Sequence, residues 1–500
     1  MINCILHLLE KNAKERPDFI ALEDENLKLT YSEYRNAAAK IGTYILSEYP
    51  EKRNRPVAVL IDRNILSVCA FMGVAYSGNM YVPIDTAMPK ERIKLIFSTL
   101  DPIAVIDARN SGEEYPGAVK IGDITEKAEA DEAALKRSVS ETIDLDPLYA
   151  IFTSGSTGVP KGVAVSHGSV LDLVDSFEEA FGFEEGTVFG NQAPFDFDVS
   201  VKDIYNALKC GGRVSVIPKK LFMTPTLLIR YLAGRKIDTI IWAVSAMRIV
   251  ADFDTFSKSE VMPELKNVFF SGEVMPVKTL NYWRGYYKDT RFVNLYGPTE
   301  ITCNCTYYVV DREFDVSEKL PIGIPFVNTR IFLKDENGNF TDKANTIGEI
   351  CVSGRCVALG YWNDKEKTGE SFALNPYITE YPSRIYTTGD LGYYDEKGIL
   401  YYTSRKDYQI KHMGHRIELG EIEVAINSLS FLDVCVCLYD ESREKIVCFY
   451  QATEECKTMI VKELSKKLPK YMWPNDYRFY DRLPMNKNGK IDRTQLKKEM

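Results

Sequence analysis

Short runs of consecutive apolar, often β-branched residues alternate along the chain with segments of helical periodicity. PVAVLI at 56–61 predicts a buried strand, the apolar segment after it predicts a helix that ends at Gly78, and YVPI from Tyr81 is again extended. The runs PIAVI, RVSVI, TIIWAV and NVFF repeat this alternation further along. Continuous apolar strands separated by helices indicate a parallel sheet covered by helices on both faces.

The pattern changes after about Pro321. TRIFLKDENGNF and GEICVSG combine short strands with a D-x-N-G turn, which indicates a hairpin-rich subdomain over about 321–405. From Glu418 onward, a helix, two strands and a second helix suggest a small α+β unit. We therefore predict an α/β fold with parallel and mixed sheets in an N-terminal core, 1–405, followed by a mobile C-terminal domain, 406–500.

Composition and charge narrow the class of protein. The 500 residues are 45% hydrophobic and 27% charged, which is ordinary for globular chains, and the net charge of −9 argues against general nucleic-acid affinity. The longest apolar run, 65–76, is shorter than the roughly 20 residues of a membrane span, and the N-terminus lacks a signal-peptide pattern. The 11 cysteines lack zinc-type C-x-x-C pairs, so we expect reduced thiols in a cytoplasmic protein.

The segment FTSGSTGVPKG at 152–162 is the strongest local signal for chemistry. Its glycines allow close approach to a polyphosphate, its hydroxyl and N–H groups can donate to phosphate oxygens, and Lys161 adds positive charge. The spacing differs from a Walker A loop, although the segment follows a strand-like LYAIF as a nucleotide loop should. These residues predict phosphate binding, with a flexible surface loop as the alternative.

This loop resembles the signature loop of the adenylate-forming superfamily, which includes acyl-CoA synthetases, luciferases and amino-acid adenylation domains. Further motifs similar to those of the superfamily follow in order along nearly the whole chain: LTYSEY, YVPID, FDVS, NLYGPTE, GYWN, TGD, SRKDYQIKHMGHRIELGEIE and NKNGKIDR. The sequence looks most like adenylation domains of nonribosomal peptide synthesis and, among them, free-standing D-alanine:carrier-protein ligases. NQAPFDFDVSVKDIY and FSGEVMP are especially similar to those ligases.

The resemblance implies two half-reactions at one site. A carboxylate attacks the α-phosphate of ATP to give an acyl-adenylate, and a phosphopantetheine thiol then takes the acyl group. It implies nucleotide binding by Thr153, Ser154, Gly155, Ser156, Gly158, Lys161, Gly272, Glu273, Asn294, Tyr296, Gly297, Asp390, Tyr402 and Arg405. It implies catalytic roles for Thr157, Thr299, Glu300 and Lys490, with Glu300 also holding Mg²⁺.

The resemblance also implies a rotation of the C-terminal domain between the half-reactions. Lys490 in NKNGKIDR would bridge the substrate carboxylate and the α-phosphate during adenylation. Asp407 matches the hinge residue of the superfamily. After rotation, the loop from Lys411 to Arg416 would enter the site, with Gly414 opening the path for the thiol.

Asp198 in FDVS indicates an amino-acid substrate, because in similar adenylation domains this aspartate pairs with the α-ammonium group; the alternative is a helix N-cap. Alignment by motif predicts a side-chain pocket formed by Asp198, Val199, Lys202, Trp242, Phe269, Ser271, Leu295, Cys303 and Asn304. This set departs from the D-alanine ligases, which have cysteine at the Ser271 position and lack counterparts of Lys202 and Trp242. Lys202 either meets a polar or acidic substrate side chain or extends to solvent.

The leading hypothesis is an amino-acid:carrier-protein ligase that uses ATP and Mg²⁺. Its expected acceptor is the phosphopantetheine arm of a separate acidic carrier protein, because no carrier segment follows Met500. The alternatives are a D-alanine:carrier-protein ligase proper, a CoA ligase of a non-amino carboxylic acid and a catalytically silent nucleotide-binding protein. Lys466, Lys467 and Lys470 are either a carrier-docking cluster or solvated lysines. We expect a monomer.

Overall fold

The computed structural model of the chain describes residues 2–155, 158–259, 261–376, 378, 380–406, 408–486 and 491–500. It divides into two compact units, which are described separately below. Unit 1 comprises Met1–Asp85, Asp101–Ile151 and Val163–Ser404, and unit 2 comprises Thr86–Leu100, Phe152–Gly162 and Arg405–Met500. The predicted division into 1–405 and 406–500 stays a prediction.

The strands are short and are numbered in chain order. They are β1 (Ile20–Glu23), β2 (Lys28–Thr30), β3 (Pro56–Ile61), β4 (Met80–Asp85), β5 (Ala104–Asp107), β6 (Val119–Lys120), β7 (Pro147–Thr153), β8 (Lys161–Ser166), β9 (Val188–Asn191), β10 (Arg213–Val216), β11 (Thr239–Ala243), β12 (Asn267–Ser271), β13 (Arg291–Tyr296), β14 (Thr306–Val309), β15 (Ile324–Pro325), β16 (Thr329–Lys334), β17 (Phe340–Thr341), β18 (Gly348–Gly354), β19 (Gly360–Tyr361), β20 (Phe372–Leu374), β21 (Arg384–Tyr394), β22 (Leu400–Arg405), β23 (Gln409–His412), β24 (His415–Glu418), β25 (Val434–Asp440), β26 (Lys445–Gln451) and β27 (Asp476–Tyr480).

The α-helices are α1 (Leu6–Glu15), α2 (Tyr31–Glu48), α3 (Ile65–Tyr76), α4 (Lys90–Leu100), α5 (Ile121–Lys127), α6 (Glu132–Glu141), α7 (His167–Phe181), α8 (Val199–Cys210), α9 (Pro225–Gly234), α10 (Val244–Asp252), α11 (Val277–Tyr286), α12 (Lys365–Ser371), α13 (Leu419–Asn427), α14 (Lys457–Lys467) and α15 (Arg493–Lys498). Single 3₁₀ turns lie at Lys219–Met223, Thr299–Ile301 and Lys470–Met472.

A nine-stranded sheet forms the largest layer of unit 1, in the order β15-β14-β13-β12-β11-β9-β10-β1-β2. Its central strands are parallel, and β2, β14 and β15 run antiparallel at the two edges. Strands β12 and β13 end at Ser271 and Tyr296, two of the residues that the motifs single out. The carboxyl ends of parallel strands are the usual place for ligand sites in such sheets.

Two further sheets complete the strand layers of unit 1. The seven-stranded sheet has the order β19-β8-β7-β4-β3-β5-β6, and a six-stranded sheet contains β16, β17, β18, β20, β21 and β22. The six-stranded sheet is built from antiparallel hairpins, as the D-x-N-G turn predicted. One apolar core contains Tyr81, Phe177 and Phe269, and a second one contains Trp242, Phe270 and Trp283.

Unit 2 contains the predicted C-terminal α+β elements. A three-stranded sheet, β25-β26-β27, packs its apolar face with α13 and α14 around Ile422, Ile426 and Ile460. A separate two-stranded hairpin is formed by β23 and β24, whose turn residues Met413 and Gly414 have φ of 53° and 81°. Two positive φ values in succession are typical of a type I′ hairpin turn.

The predicted α/β fold class is confirmed, because the chain contains parallel and mixed sheets together with α-helices. The predicted strand at 56–61 is β3, and the apolar helix that follows it is α3. All 11 cysteines are free thiols and ten of them are buried. Among the described residues, no helix is long and apolar enough to span a bilayer.

Candidate active site

A buried contact between two signature residues lies in unit 1, at the end of β13. Asp390 is 1% exposed, and its Oδ2 accepts a hydrogen bond of 2.6 Å from the Tyr296 hydroxyl group. The backbone N–H of Asp390 donates to Thr388 Oγ1 at 3.0 Å, which holds the carboxylate in place. Burial, together with the Asp390 charge, raises the pKa of Tyr296 far above its ordinary value, so this hydroxyl remains a donor.

The turn after β12 leaves open space beside its glycine. Gly272 has a φ of 96°, and a Cβ atom added there would meet no heavy atom within 4 Å. Glu273 follows it and is partly exposed. Asn294 is anchored instead, because its side-chain amide donates to the Pro321 carbonyl at 2.7 Å. The open space beside Gly272 is compatible with a flat ring such as adenine.

The segment after β13 brings Glu300 and the pocket residues close together. A Cβ atom at Gly297 would approach Asn304 Cα and the Cys303 carbonyl oxygen to 2.7 Å, so this crossing requires glycine. Thr302 and Cys303 have φ of 58° and 78°, a left-handed backbone that costs free energy at residues with a Cβ. Backbone strain of this kind is commonly found at ligand sites.

Glu300 is the candidate ligand for a divalent cation. Its carboxylate is fully buried, and its Oε1 accepts a hydrogen bond of 2.8 Å from the Tyr361 hydroxyl group, which orients it. Thr299 precedes it in a 3₁₀ turn and is 7% exposed. Within the described residues, no group of three or more His, Cys, Asp and Glu side chains could form a metal cage. A carboxylate such as that of Glu300 is a suitable ligand for Mg²⁺, which proteins usually bind through one or two carboxylates together with water and phosphate oxygens.

The predicted side-chain pocket is partly assembled. Lys202 Nζ donates to Ser271 Oγ at 3.0 Å, and Lys202 is also within hydrogen-bonding reach of the Cys303 thiol, whose pKa burial raises to about 12. Phe269 and Leu295 are buried in the core that also contains Cys303. The Oδ1 atom of Asn304 is buried without a hydrogen-bond partner among the described residues.

Trp242 is the pocket residue that the structure places elsewhere. In the parallel register of β11 and β12, Trp242 lies beside Phe270, whereas Ala243 lies beside Ser271. Neighbouring residues in register share a face of the sheet, so Trp242 lies on the face opposite Ser271. Its indole Nε1 donates to the Gly190 carbonyl at 2.9 Å inside the second core. The motif alignment therefore missed Ala243, by one position.

Asp198 occupies the N-cap position of α8, beside the partly exposed Val199. Its backbone is already helical, with φ of −62° and ψ of −22°, and its side chain makes no capping hydrogen bond. The alternative of a side-chain N-cap is therefore not realised. The helix ends at Gly211, whose φ of 64° is the left-handed conformation that terminates helices.

The glycine-rich loop is described within unit 2, where it contacts C-terminal elements. The Ser154 hydroxyl donates to the Arg416 carbonyl at 2.8 Å and accepts from the Glu418 backbone N–H at 3.2 Å. The Gly155 N–H donates to Glu421 Oε2 at 3.3 Å, and the other oxygen of Glu421 forms a buried ion pair with Arg92 of α4. In this arrangement the Ser154 hydroxyl group and the Gly155 N–H are engaged by the chain itself.

The remaining predicted residues fall into two groups. Thr153 ends β7, and its buried Oγ1 has no partner among the described residues. Gly158 has a φ of 81°, and Lys161 begins β8. Tyr402 and Arg405 lie on β22, and Lys411 pairs in register with Arg416 in the β23–β24 hairpin. The predicted positions that lie outside the described residues are Ser156, Thr157, Asp407 and Lys490.

Three contact residues were missed by the sequence analysis. Tyr361 stands in the GYWN motif and Glu421 in ELGEIE, so the motifs alone could have flagged both positions. Arg92 lies in no such motif, and its partner Glu421 is 329 residues away, which left no local signal.

These features define a nucleotide-binding α/β enzyme, and comparisons with known proteins identify its family. A family model described as "AMP-binding enzyme" matches residues 9–362. The D-alanine--D-alanyl carrier protein ligase of Bacillus licheniformis is 31% identical over 510 residues, covering 99% of both chains. A linear gramicidin synthase of Brevibacillus parabrevis is 31% identical over 508 residues, covering 99% of this chain and 10% of that much longer protein. The chain belongs to the family of AMP-binding enzymes.

Solved structures show the same fold. A holo protein of nonribosomal peptide synthesis with adenylation and PCP domains superposes with a TM-score of 0.85 at 24% identity, covering 100% of this chain and 84% of that one. The adenylation domain AlmE of Vibrio cholerae, solved with glycyl-adenosine-5'-phosphate, gives a TM-score of 0.83 at 21% identity, covering 100% and 98%. The predicted resemblance and enzyme class, an AMP-forming ligase, are confirmed.

Proposed function

We propose that the chain activates an amino acid with ATP as its aminoacyl-adenylate and then transfers it to the phosphopantetheine thiol of a carrier protein. The observation that carries the amino-acid part is Asp198, which stands at the start of α8 without capping it. A carboxylate in that position can pair with an α-ammonium group. The relatives of both kinds, ligases and synthetase adenylation domains, are consistent with this chemistry.

The nucleoside would bind at the end of β13. Asp390 would accept hydrogen bonds from both ribose hydroxyls, since an ionised carboxylate can accept several, and Tyr296 would stack on adenine while holding Asp390. The space beside Gly272 would receive the ring, with Glu273, Asn294 and Gly297 shaping its edge. Tyr402 and Arg405 would contact the ribose side.

The triphosphate would bind the glycine-rich loop, through Thr153, Ser154, Gly155, Ser156, Gly158 and Lys161. Ser154 would first have to exchange the Arg416 carbonyl and the Glu418 N–H for a phosphate oxygen. Thr157 and Thr299 would donate to the phosphates. Mg²⁺ held by Glu300 would neutralise the charge that gathers on the phosphate oxygens.

The roles of Lys490 and of the hinge rest on the motifs. Lys490 would stabilise the charge that develops between the substrate carboxylate and the α-phosphate. Asp407 would be the hinge, after which the β23–β24 hairpin, with Lys411 and Gly414, would serve the thiol transfer. Lys466 pairs with Glu463 at 2.6 Å, and Lys467 donates to Ser428, so both lysines have partners within the chain, and their role in carrier docking stays a prediction.

The proposed function is tested by amino-acid-dependent ATP–pyrophosphate exchange across the L-amino acids and D-alanine. A signal with one or a few amino acids, lost in Lys490→Ala, is the expected result. Exchange with simple carboxylic acids and with no amino acid would contradict the proposal and support a CoA ligase.

D-alanine itself is a second candidate substrate. The relative from Bacillus licheniformis, whose name gives D-alanine as its substrate, matches 99% of this chain at 31% identity. The pocket argues against this choice, because a methyl side chain offers nothing to the buried ammonium group of Lys202. The same exchange panel decides between the two, since D-alanine would then be the strongest substrate.

A further inference from the structure

Lys202 is a fully buried cation. It lies in α8, is 0% exposed, and its nitrogen donates to Ser271 Oγ at 3.0 Å. The alternative in which the side chain extends to solvent is therefore not realised. An ammonium group has three donors and a full charge, and the neutral Ser271 hydroxyl and Cys303 thiol groups compensate little of the cost of removing that charge from water.

The chain supplies no close counter-charge. Among the residues that the structure describes, no carboxylate oxygen lies within 4.0 Å of Lys202 Nζ. The adjacent Asp203 directs its Oδ2 to Asn191 Nδ2 at 2.9 Å instead. Burial raises the pKa of Asp203 to about 8, although the nearby Lys202 charge acts to lower it, so this group holds its proton more tightly than a free aspartate does. Lys202 therefore has no ion-pair partner among the described residues.

The surroundings of Lys202 have the character of a ligand pocket. The charges of Asp198 and Lys202 shift the pKa of the Cys303 thiol in opposite directions, Asp198 upward and Lys202 downward. Both charged groups therefore lie near Cys303. Asn304 is 3% exposed, and its Oδ1 lacks a hydrogen-bond partner among the described residues. An unpartnered buried amide oxygen, on the residue that follows the Cys303 thiol, indicates a polar group of a ligand rather than an apolar one.

The spacing of the two charges along α8 has a chemical meaning. Asp198 and Lys202 are four residues apart, so they lie on the same face of the helix, with Cβ atoms roughly 6 Å apart. A carboxylate followed one turn later by an ammonium group complements a ligand that carries a cation and an anion a few bonds apart. An amino acid with an acidic side chain has this arrangement.

We propose that the substrate is an amino acid whose side chain carries a carboxylate, which pairs with Lys202 while the α-ammonium group pairs with Asp198. This inference rests on the proposed function, amino-acid adenylation. In this proposal Lys202 selects the side chain of the substrate, and Ser271 holds the Lys202 ammonium group in position. Charge-assisted pairs of this kind are the stronger hydrogen bonds in proteins, so the pair selects against the neutral isostere.

The first test compares isosteric pairs in ATP–pyrophosphate exchange with the wild-type enzyme, namely aspartate against asparagine and glutamate against glutamine, each as the L and D forms. We expect one acid to exceed its amide by roughly 100-fold in kcat/KM, because the amide leaves Lys202 buried without a counter-charge. An amide, serine or alanine as the strongest substrate would overturn the inference while leaving amino-acid adenylation intact. Silence with every amino acid would overturn the proposed function itself.

The second test is Lys202→Met, with Lys209→Met as the matched control. Lys209 lies on the same helix, but it pairs with Asp175 and Glu178 at the surface. In Lys202→Met, exchange with the acid should fall by about 100-fold and exchange with apolar amino acids should rise, whereas the control should keep the wild-type order. An unchanged order in Lys202→Met would contradict the inference. Thermal unfolding shows whether Lys202→Met is folded. If it is not, the comparison of acids with their amides in the wild-type enzyme tests the inference alone.

Discussion

Two buried cations in this chain have opposite surroundings. Arg92 of α4 forms an ion pair with the buried carboxylate of Glu421, and that carboxylate also accepts the Gly155 N–H at 3.3 Å. Lys202 of α8 contacts a neutral hydroxyl group at 3.0 Å. A buried charge that the fold neutralises serves the fold, whereas one that it leaves uncompensated costs stability and is retained for a ligand. On this comparison, the charge of Arg92 stabilises the fold, whereas the charge of Lys202 is available to recognise a ligand.

The largest effect is expected where the chain neutralises its own charge. Glu421→Gln leaves Arg92 buried without a carboxylate, and it should lower the free energy of unfolding by about 3–5 kcal/mol. Urea unfolding of the full chain measures this change. Glu463→Gln is the control, since Glu463 pairs with Lys466 at the surface and should cost less than about 1 kcal/mol. Equal effects of the two variants would remove the structural role assigned to Arg92.

The nucleotide end of the site offers the next largest effect. Asp390→Asn replaces the carboxylate that we assign to the ribose, and the apparent KM for ATP should rise by about 10–100-fold. Initial-rate exchange at varied ATP concentrations measures it. Glu396→Gln, at an exposed turn residue of the same subdomain, should leave KM unchanged. A rise in the KM for the amino acid, with the KM for ATP unchanged, would contradict the assignment of Asp390 to the ribose.

A pH profile tests whether Asp203 neutralises Lys202. The pKa of Asp203 is raised from its ordinary 3.8 to about 8, so the folded chain binds this proton more tightly than the unfolded chain does. The resulting stability is fully present below about pH 4 and is lost as the pH rises through about 8. From pH 5 to 7, wild type should lose about 2.6 kcal/mol relative to Asp203→Asn.

The opposite outcome of this pH profile is also informative. If Asp203 were ionised as the partner of Lys202, Asp203→Asn would be destabilised to the same extent at both pH values. Urea unfolding of the two proteins at pH 5 and 7 distinguishes these cases, because the difference between them cancels the titration of all other groups.

The smallest effect concerns the glycine-rich loop. Ser154→Ala removes the hydroxyl that contacts Arg416 and Glu418, and it should cost about 1 kcal/mol of unfolding free energy. We expect the KM for ATP to rise less than about 10-fold, because the N–H groups of a glycine-rich loop can also donate to phosphate. A large rise in KM with unchanged stability would show that the hydroxyl serves the phosphates and contributes nothing to the contact with the C-terminal elements.

Much of the fold could be predicted from the sequence, because buried strands such as β3 and helices such as α3 are recognisable by their continuous apolar runs. The faces of those strands were harder to predict. Trp242 and Ala243 are one position apart, but the pleat of β11 directs them to opposite faces of the sheet. Motif alignment locates a residue to within a position or two along a strand. Which face of the sheet its side chain takes depends on how the strand packs.

The charges of the site were only partly predictable. The sequence placed Lys202 near the substrate but left its exposure open, since burial depends on how β12 and α8 pack. The ion pair of Arg92 and Glu421 joins residues 329 positions apart, and no pattern along the chain relates them. Signature residues such as Asp390 could be identified because their motifs are long and occur in a fixed order.

The most direct test of the central claim measures binding without turnover. Isothermal titration of the wild-type chain with two non-hydrolysable aminoacyl-sulfamoyl adenosines, one with an aspartyl and one with an asparaginyl group, compares ligands that differ at the side-chain terminus; the glutamyl and glutaminyl pair is measured in the same way. We expect the acidic member of one pair to bind about 100-fold more tightly, and the advantage to disappear in Lys202→Met. Equal affinities within both pairs, or tighter binding of the amides, would contradict the assignment of Lys202 to an acidic side chain.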